Sequence, residues 1–264
     1  MWTDGIAFEQ LGVRFAIRTD SPDLMKLATS RLPPGWTPSA SDEVDVLFSL
    51  TGGGPRRRGV QRYQILYEGV SLLQRTLDRE ALGDALDSAL HVALAERAAD
   101  WVFVHAGVVG WQGRAIVMPG TTLSGKSSLV AALLRAGAVF YSDDRALIDA
   151  QGLVHPYPRP LSIRESPSAR QIPFTPASFG AETGVEPVPV GLIVFTKYQA
   201  GTSWTPCRVS AGQAMLALLE HTSAVRTRPE AALQTLQRTI AGATAYRGPR
   251  GDAAQTAKRL MSLI

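Results

Sequence analysis

The densest chemistry in the chain lies in the stretch "PGTTLSGKSSL". Gly120, Thr121, Thr122, Leu123, Ser124, Gly125, Lys126 and Ser127 match the pattern G-x-x-x-x-G-K-[ST] in full. Glycines at its two ends let the backbone turn where a β-carbon would clash, so successive N–H groups can face phosphate oxygens. The loop opens into a helical pattern through Ser128 and Leu129, and the positive end of a helix dipole favours the same anion. Lys126 would supply a mobile cation for the terminal phosphates, and Ser127 a hydroxyl for magnesium. The bland alternative for these residues is a Gly/Ser-rich strand-to-helix turn.

Asp143 and Asp144 follow the apolar run "AVFY", where a nucleotide-hydrolysing or phosphoryl-transferring protein needs a carboxylate for its magnesium shell. Consecutive side chains on an extended strand face opposite ways, but a bend at the strand end can bring both to the phosphates. One carboxylate could then orient the metal while the other takes the proton of an incoming hydroxyl, as transfer to an alcohol requires. Otherwise one of them caps a turn. His105, in the apolar run "WVFVHAGVV" before the loop, reads as a strand-end or core histidine that could pair with Asp143 if the strands are neighbours. Lys197 ends another apolar run and could neutralise a transferred phosphate or simply face solvent. Cys207 has no histidine or second thiol at motif spacing, and His91, His155 and His221 read as structural or exposed. Trp101, Phe103, Phe140 and Tyr141 read as packing around strands.

Positioning these residues requires a strand, the loop, a helix and a second strand in order, and residues 101–142 supply that pattern. Further strands are expected at "ALIDAQG", "VHPYPRPLSIR", "VGLIVFTKY" and "ATAYRG", and helices at "SAGQAMLALLEHT", "PEAALQTLQRTI" and "DAAQTAKRLMSLI". The Pro-, Ser- and Gly-rich segment from Glu165 to Pro189 has no regular period, as in a lid or binding loop. Upstream, residues 6–18 and 44–50 read as strands, Ser21 and Pro22 as a helix start, and the residues around Gly69 as a hairpin. Leu82, Leu86, Leu90 and Leu94 recur at four-residue spacing in a helix expected over Arg79 to Ala98. This organisation predicts a small α+β region over 1–95, for recognition or an accessory role, and a nucleotide-binding catalytic domain over 96–264.

With 45% hydrophobic and 19% charged residues, the chain falls in the globular class rather than the disordered or membrane class. One cysteine excludes a disulfide framework and a thiolate metal cluster, so a cytoplasmic setting is expected. No run of eighteen apolar residues occurs, so no stable membrane insertion is expected, and the N-terminus reads as a strand rather than a secretion leader. A net charge of +4 is too mild for a nucleic-acid partner, and Arg56, Arg57 and Arg58 read as a solvated loop.

His105 ahead of "GRAIVMPGTTLSGKSSLVAALLRAGAVFYSDD" resembles the catalytic domain of the HPr kinase/phosphorylase family over residues 101–148. The likeness is fainter through "PLSIRE" and "VPVGLIVFTKY" and does not reach residues 1–95. The resemblance implies an α/β P-loop core related to phosphoenolpyruvate carboxykinases, with the loop packed in a mixed, largely antiparallel sheet. It implies an ATP- and Mg2+-dependent kinase acting on a hydroxyl, serine foremost, of a peptide, protein or small metabolite. A nucleotide-responsive binding module and an ATPase are the rival readings. By residue matching, Gly120 to Ser127 with Ser128 hold the nucleotide, Ser127 and Asp144 the metal, Asp143 acts as acid/base, and His105 is its partner. The metal and base roles of the two aspartates are interchangeable at this level. Arg164, Glu165 and Lys197 are candidate phosphate or acceptor contacts, and a homo-oligomer is allowed. Ser128 and Ser162 stand where that family has acidic residues, and Glu165 stands where it has glycine. These departures point to an HPr-kinase-like enzyme with a changed acceptor rather than to the regulatory kinase.

Overall fold

A computed structural model describes residues 2–41, 43–52, 61–121, 124–163 and 172–264. Thr122, Leu123, Arg164 and Glu165, and the loop arginines Arg56, Arg57 and Arg58, lie outside the described residues. The chain divides into two compact units, 1–99 and 100–264.

The first unit contains β1 (Asp4–Gln10), β2 (Val13–Thr19), α1 (Pro22–Thr29), β3 (Thr37–Pro38), β4 (Val46–Thr51), β5 (Gln64–Glu68), β6 (Ser71–Thr76) and α2 (Arg79–Arg97). Its sheet runs β3-β1-β2-β4-β5-β6. Alternation sets its faces: in β2, Val13, Phe15 and Ile17 are buried while Arg14, Ala16 and Arg18 are half-buried. Ser21 accepts the N–H of Leu24 and so starts α1. In α2 the four leucines expected to share a face, Leu82, Leu86, Leu90 and Leu94, are all buried. Burial stabilises each by roughly 2 kcal/mol relative to exposure. The expected domain boundary at residue 95 falls inside this helix, and the division follows at Ala99.

The second unit contains β7 (Trp101–Val104), β8 (Ala106–Trp111), β9 (Arg114–Pro119), α3 (Lys126–Arg135), β10 (Val139–Ser142), β11 (Ala146–Asp149), β12 (Leu153–His155), β13 (Leu161–Ile163) and β14 (Ile172–Phe174). It continues with β15 (Val188–Phe195), β16 (Cys207–Arg208), α4 (Ala211–Leu219), α5 (Pro229–Ala241), β17 (Thr244–Arg247) and α6 (Ala253–Met261). The main sheet is mixed and runs β10-β8-β9-β15-β12-β11-β7, with β17 joining β15 and β16. β15 is parallel to β9 and β17, whereas the β8 pairings with β9 and β10 are antiparallel. Two cores lie on its two faces. Ile116 and Met118 of β9 pack with α3 and α6, while Ala115 and Val117 pack with α4 and α5. The whole is a mixed α/β fold.

Two strand expectations are revised. The run "WVFVHAGVVG" is two strands rather than one, broken at His105, because β7 pairs with β11 while β8 pairs with β9 and β10. The run "VHPYPRPLSIR" is likewise β12 and β13, since Pro156, Pro158 and Pro160 cannot donate to a ladder. In the described part of the segment expected to lack regular structure, β14 pairs with β13 and a 3-10 turn spans Pro176–Phe179. Among the described residues no helix is long and apolar enough to cross a membrane.

Candidate functional site

Strand register gathers the site. β8 lies between β9 and β10, with Ala106 opposite Pro119 and Val108 opposite Ser142. In this antiparallel arrangement the start of β8 meets the ends of both neighbours. His105 precedes β8, Gly120 follows β9, and Asp143 and Asp144 follow β10, so all four share one sheet edge. The N–H of Gly120 donates to His105 O (3.2 Å) and that of Ala106 to Asp144 O (3.1 Å), which ties the three chain segments together. A register shift between Phe140 and Ser142 bends the end of β10. Such a bulge re-aims the residues that follow it.

The loop leads directly into α3, where Gly125 is the N-cap with φ +90°, a conformation that side-chain-bearing residues rarely adopt. A β-carbon there would lie 2.6 Å from Nη2 of Arg250, and one at Gly120 would lie 2.7 Å from Ser124 Oγ. The left-handed φ makes glycine necessary at Gly125, whereas a β-carbon at Gly120 would require the Ser124 hydroxyl to turn away. Lys126 folds back over the loop: its Nζ donates to the carbonyls of Gly120 (2.6 Å) and Thr121 (2.9 Å). It also lies 2.9 Å from Nε2 of His105. Behind the loop, Arg250, only 2% exposed, donates to Gly125 O at 2.7 Å. The N–H of Tyr198 donates to Ser124 O at 3.1 Å. Ser124 Oγ is buried with no hydrogen-bond partner.

The two aspartates have separate partners. Asp143 is 4% exposed, and its Oδ2 accepts from Ser127 Oγ (2.8 Å) and the N–H of Ser162 (3.1 Å). Its Oδ1 is buried without a partner. Asp144, its side chain 39% exposed, has Oδ1 at 3.1 Å from His105 Nε2. Its Oδ2 lies 3.7 Å from Arg145 Nε and 4.0 Å from Arg159 Nη1. The expected pairing of His105 with Asp143, and of Ser127 with Asp144, is thus exchanged. The cause is geometric: the bend after β10 turns Asp143 in against α3, leaving Asp144 at the mouth beside the β7–β8 break.

Ionisation follows these surroundings. Burial pushes the Asp143 carboxyl up to about 6, against the hydrogen bonds from Ser162 and Ser127. Burial acts in the same sense on Asp144, but His105, Arg145, Lys126 and Arg159 outweigh it and hold that carboxyl below the ordinary range. Burial pushes His105 down to about 4 against the pull of Asp144, so the imidazole is neutral at pH 7. Burial also lowers Lys126, against the pull of Asp144 and Asp143. One nitrogen, His105 Nε2, therefore faces two partners. With its proton it donates to Asp144, and without it accepts from Lys126.

Thr121 and Ser128 are exposed at the two ends of the described loop. Lys197 is exposed beyond β15, and its carbonyl accepts the N–H of Arg250. His221, read as structural, accepts the N–H of His105 through its own carbonyl (2.7 Å). Burial and Lys126 both lower its pKa. Arg145, Arg159 and Arg250 escaped sequence reasoning. Only Arg145 carried a signal, its place directly after the aspartates. His91 is buried within α2, its Nδ1 2.7 Å from Asp87 O, and Cys207 is exposed and free. Among the described residues no group of three or more His, Cys, Asp or Glu side chains could hold a metal. No family model matches the chain. A search of curated proteins finds no match either.

Proposed function

We propose that this chain is an HPr-kinase-like phosphotransferase that uses magnesium and ATP to phosphorylate an alcohol, with a serine hydroxyl foremost. One observation carries the reading: two adjacent carboxylates serve the same loop in different environments. One is buried against the helix start with an unpaired oxygen; the other is half-exposed beside a neutral histidine.

Asp143 and Ser127 bring hard oxygen donors together at the start of α3, with Oδ2 accepting from Ser127 Oγ at 2.8 Å and Oδ1 without a partner, which suits a divalent cation that also takes phosphate oxygens. Magnesium held there would neutralise charge on the β and γ phosphates. The loop N–H groups and the unpaired Ser124 hydroxyl would hold the phosphates, and Lys126 would leave its carbonyl contacts for the terminal oxygens. His105 Nε2–H then donates to Asp144 and orients it. Asp144, ionised and reachable from solvent, accepts the proton of the alcohol as its oxygen bonds to the γ-phosphorus and ADP leaves. The metal and base roles are accordingly assigned to Asp143 and Asp144, the reverse of the residue matching.

The test is turnover with free serine and serine peptides alongside acceptor-free ADP release. Expected are acceptor phosphorylation, its loss in Lys126→Ala, and a fall in kcat of about 10²–10⁴ in Asp144→Asn with little change in nucleotide affinity. Rapid ADP release without an acceptor would make the chain an ATPase. Tight Mg·ATP binding with no transfer to any acceptor would make it a binding module, and no nucleotide binding would end the proposal.

A further inference from the structure

The sheet edge that carries the loop continues on the loop's other flank. β15 is parallel to β9 and β17 is parallel to β15, so the C-terminal ends of all three meet that edge. Along it lie, in order, the aspartates after β10, His105 before β8, the phosphate loop after β9, and the segments that follow β15 and β17. Ligands of open α/β sheets settle outside the carboxyl ends of the strands. With the terminal phosphate beside Lys126 and the aspartates, the nucleoside leaves toward the β15 and β17 flank. Two strand spacings, about 10 Å, separate β8 from β15.

Tyr198 stands on that flank. Among the described residues of 100–264 it is the one exposed aromatic side chain, at 54%. It is fixed to the loop: its N–H donates to Ser124 O, and a β-carbon at Gly125 would lie 3.3 Å from its own. The backbone on either side of it is tied to Arg250, with Gln199 N–H donating to Arg250 O (2.8 Å) and Arg250 N–H to Lys197 O (3.0 Å). The Arg250 guanidinium, itself bonded to Gly125 O, lies over the ring with Cζ 5.5 Å from the centroid. One face of the ring is thereby backed, while the exposed remainder is open to solvent. Resting on the kinase reading above, we propose that Tyr198 stacks the base of the bound nucleotide. Such a ring is a platform held in place before binding, so little freedom is lost when a base settles on it. A π-face is common to every base, so adenine and guanine nucleotides are both seated there.

The experiment is calorimetric titration of the full-length protein, Tyr198→Ala and Tyr198→Phe with Mg·AMP-PNP, Mg·GMP-PNP and Mg·tripolyphosphate, the last a phosphate chain without a base. Tyr198 holds the loop by its backbone N–H, so truncating the side chain leaves that bond in place. Expected in Tyr198→Ala is a loss of about five- to 150-fold for both nucleotides, with less than two-fold change for tripolyphosphate. Tyr198→Phe, which keeps the ring, should stay within about two-fold of the unmodified protein for all three probes. Unchanged nucleotide affinity in Tyr198→Ala, or a loss confined to one nucleotide, would overturn the proposal. So would an equal loss for tripolyphosphate, which would make the ring a prop for the loop, or a phenylalanine variant as weak as alanine, which would give the role to the hydroxyl. Unmodified protein that binds tripolyphosphate as tightly as Mg·AMP-PNP has no seat for a base, and the proposal fails while the phosphate site stands. Unmodified protein that binds none of the three probes sinks the kinase reading itself.

Discussion

Asp143 is a carboxyl that the fold makes hard to ionise and leaves with one unpaired oxygen, a combination that disfavours the isolated protein and suits a cation. The sign follows from proton linkage. Its folded pKa, about 6, lies above the ordinary value of 3.8, so between these two the folded chain binds more protons than the unfolded one. Stability contributed by the protonated form is therefore present at pH 4 and lost as pH rises through 6. That difference corresponds to about 3 kcal/mol. Asp143→Asn, which retains an acceptor for Ser127 and Ser162, is expected to remove that loss and raise the melting temperature of the metal-free protein at pH 7. In the unsubstituted protein, apparent magnesium affinity should fall about ten-fold per unit below pH 6 and level off above it. Thermal scans and calorimetry across pH 4–8 check both. A flat magnesium profile would mean that Asp143 holds no metal, and an asparagine variant less stable at pH 7 would mean that burial does not raise its carboxyl. Asp144, one residue on, stays ionised because its exposed edge meets four basic side chains.

At the scale of elements, the β9–loop–α3 turn is held from behind by a buried guanidinium. Gly125 O already accepts the N–H of Leu129 as the first bond of α3 (3.2 Å), and Arg250 adds a second donor to the same oxygen. Arg250 Nε is buried without a hydrogen-bond partner, so the clamp carries a desolvation cost that its two carbonyl bonds offset. Gly125→Ala combines an unfavourable φ with a contact to Arg250 Nη2, and is expected to destabilise by more than about 1 kcal/mol and weaken nucleotide binding. Arg250→Ala should relieve the contact but not the backbone strain. Denaturant unfolding of both single variants and the double should therefore give a double-variant loss smaller than the sum by about 0.5–3 kcal/mol. Strict additivity would show that the guanidinium does not press on the loop.

In the whole molecule each unit has its own sheet and core, and every residue assigned to the nucleotide site belongs to 100–264. Mg·AMP-PNP at one hundred times its Kd would stabilise the unit that binds it by about 2.7 kcal/mol. Hydrogen exchange should accordingly slow around Gly120 to Leu129 and Ala106 to Arg145 while amides of 1–99 keep their rates. Uniform slowing in 1–99 would overturn the assignment of the site to the second unit. The loop motif, the leucine stripe of α2, the Ser21 cap and most strands were legible from residue order, because each is governed by neighbours within a few positions. The break at His105 was not, since it arises from a change of pairing partners between β7 and β8. The partners of Asp143 and Asp144 were equally hidden: a one-residue shift in β10 decides which carboxylate turns toward α3. Arg159 and Arg250 reach the site from far along the chain, brought there by the crossing of β15 and the ribbon around β13. Local spacing encodes backbone shape, but which charges meet depends on long-range register, and register is a property of the packed sheet.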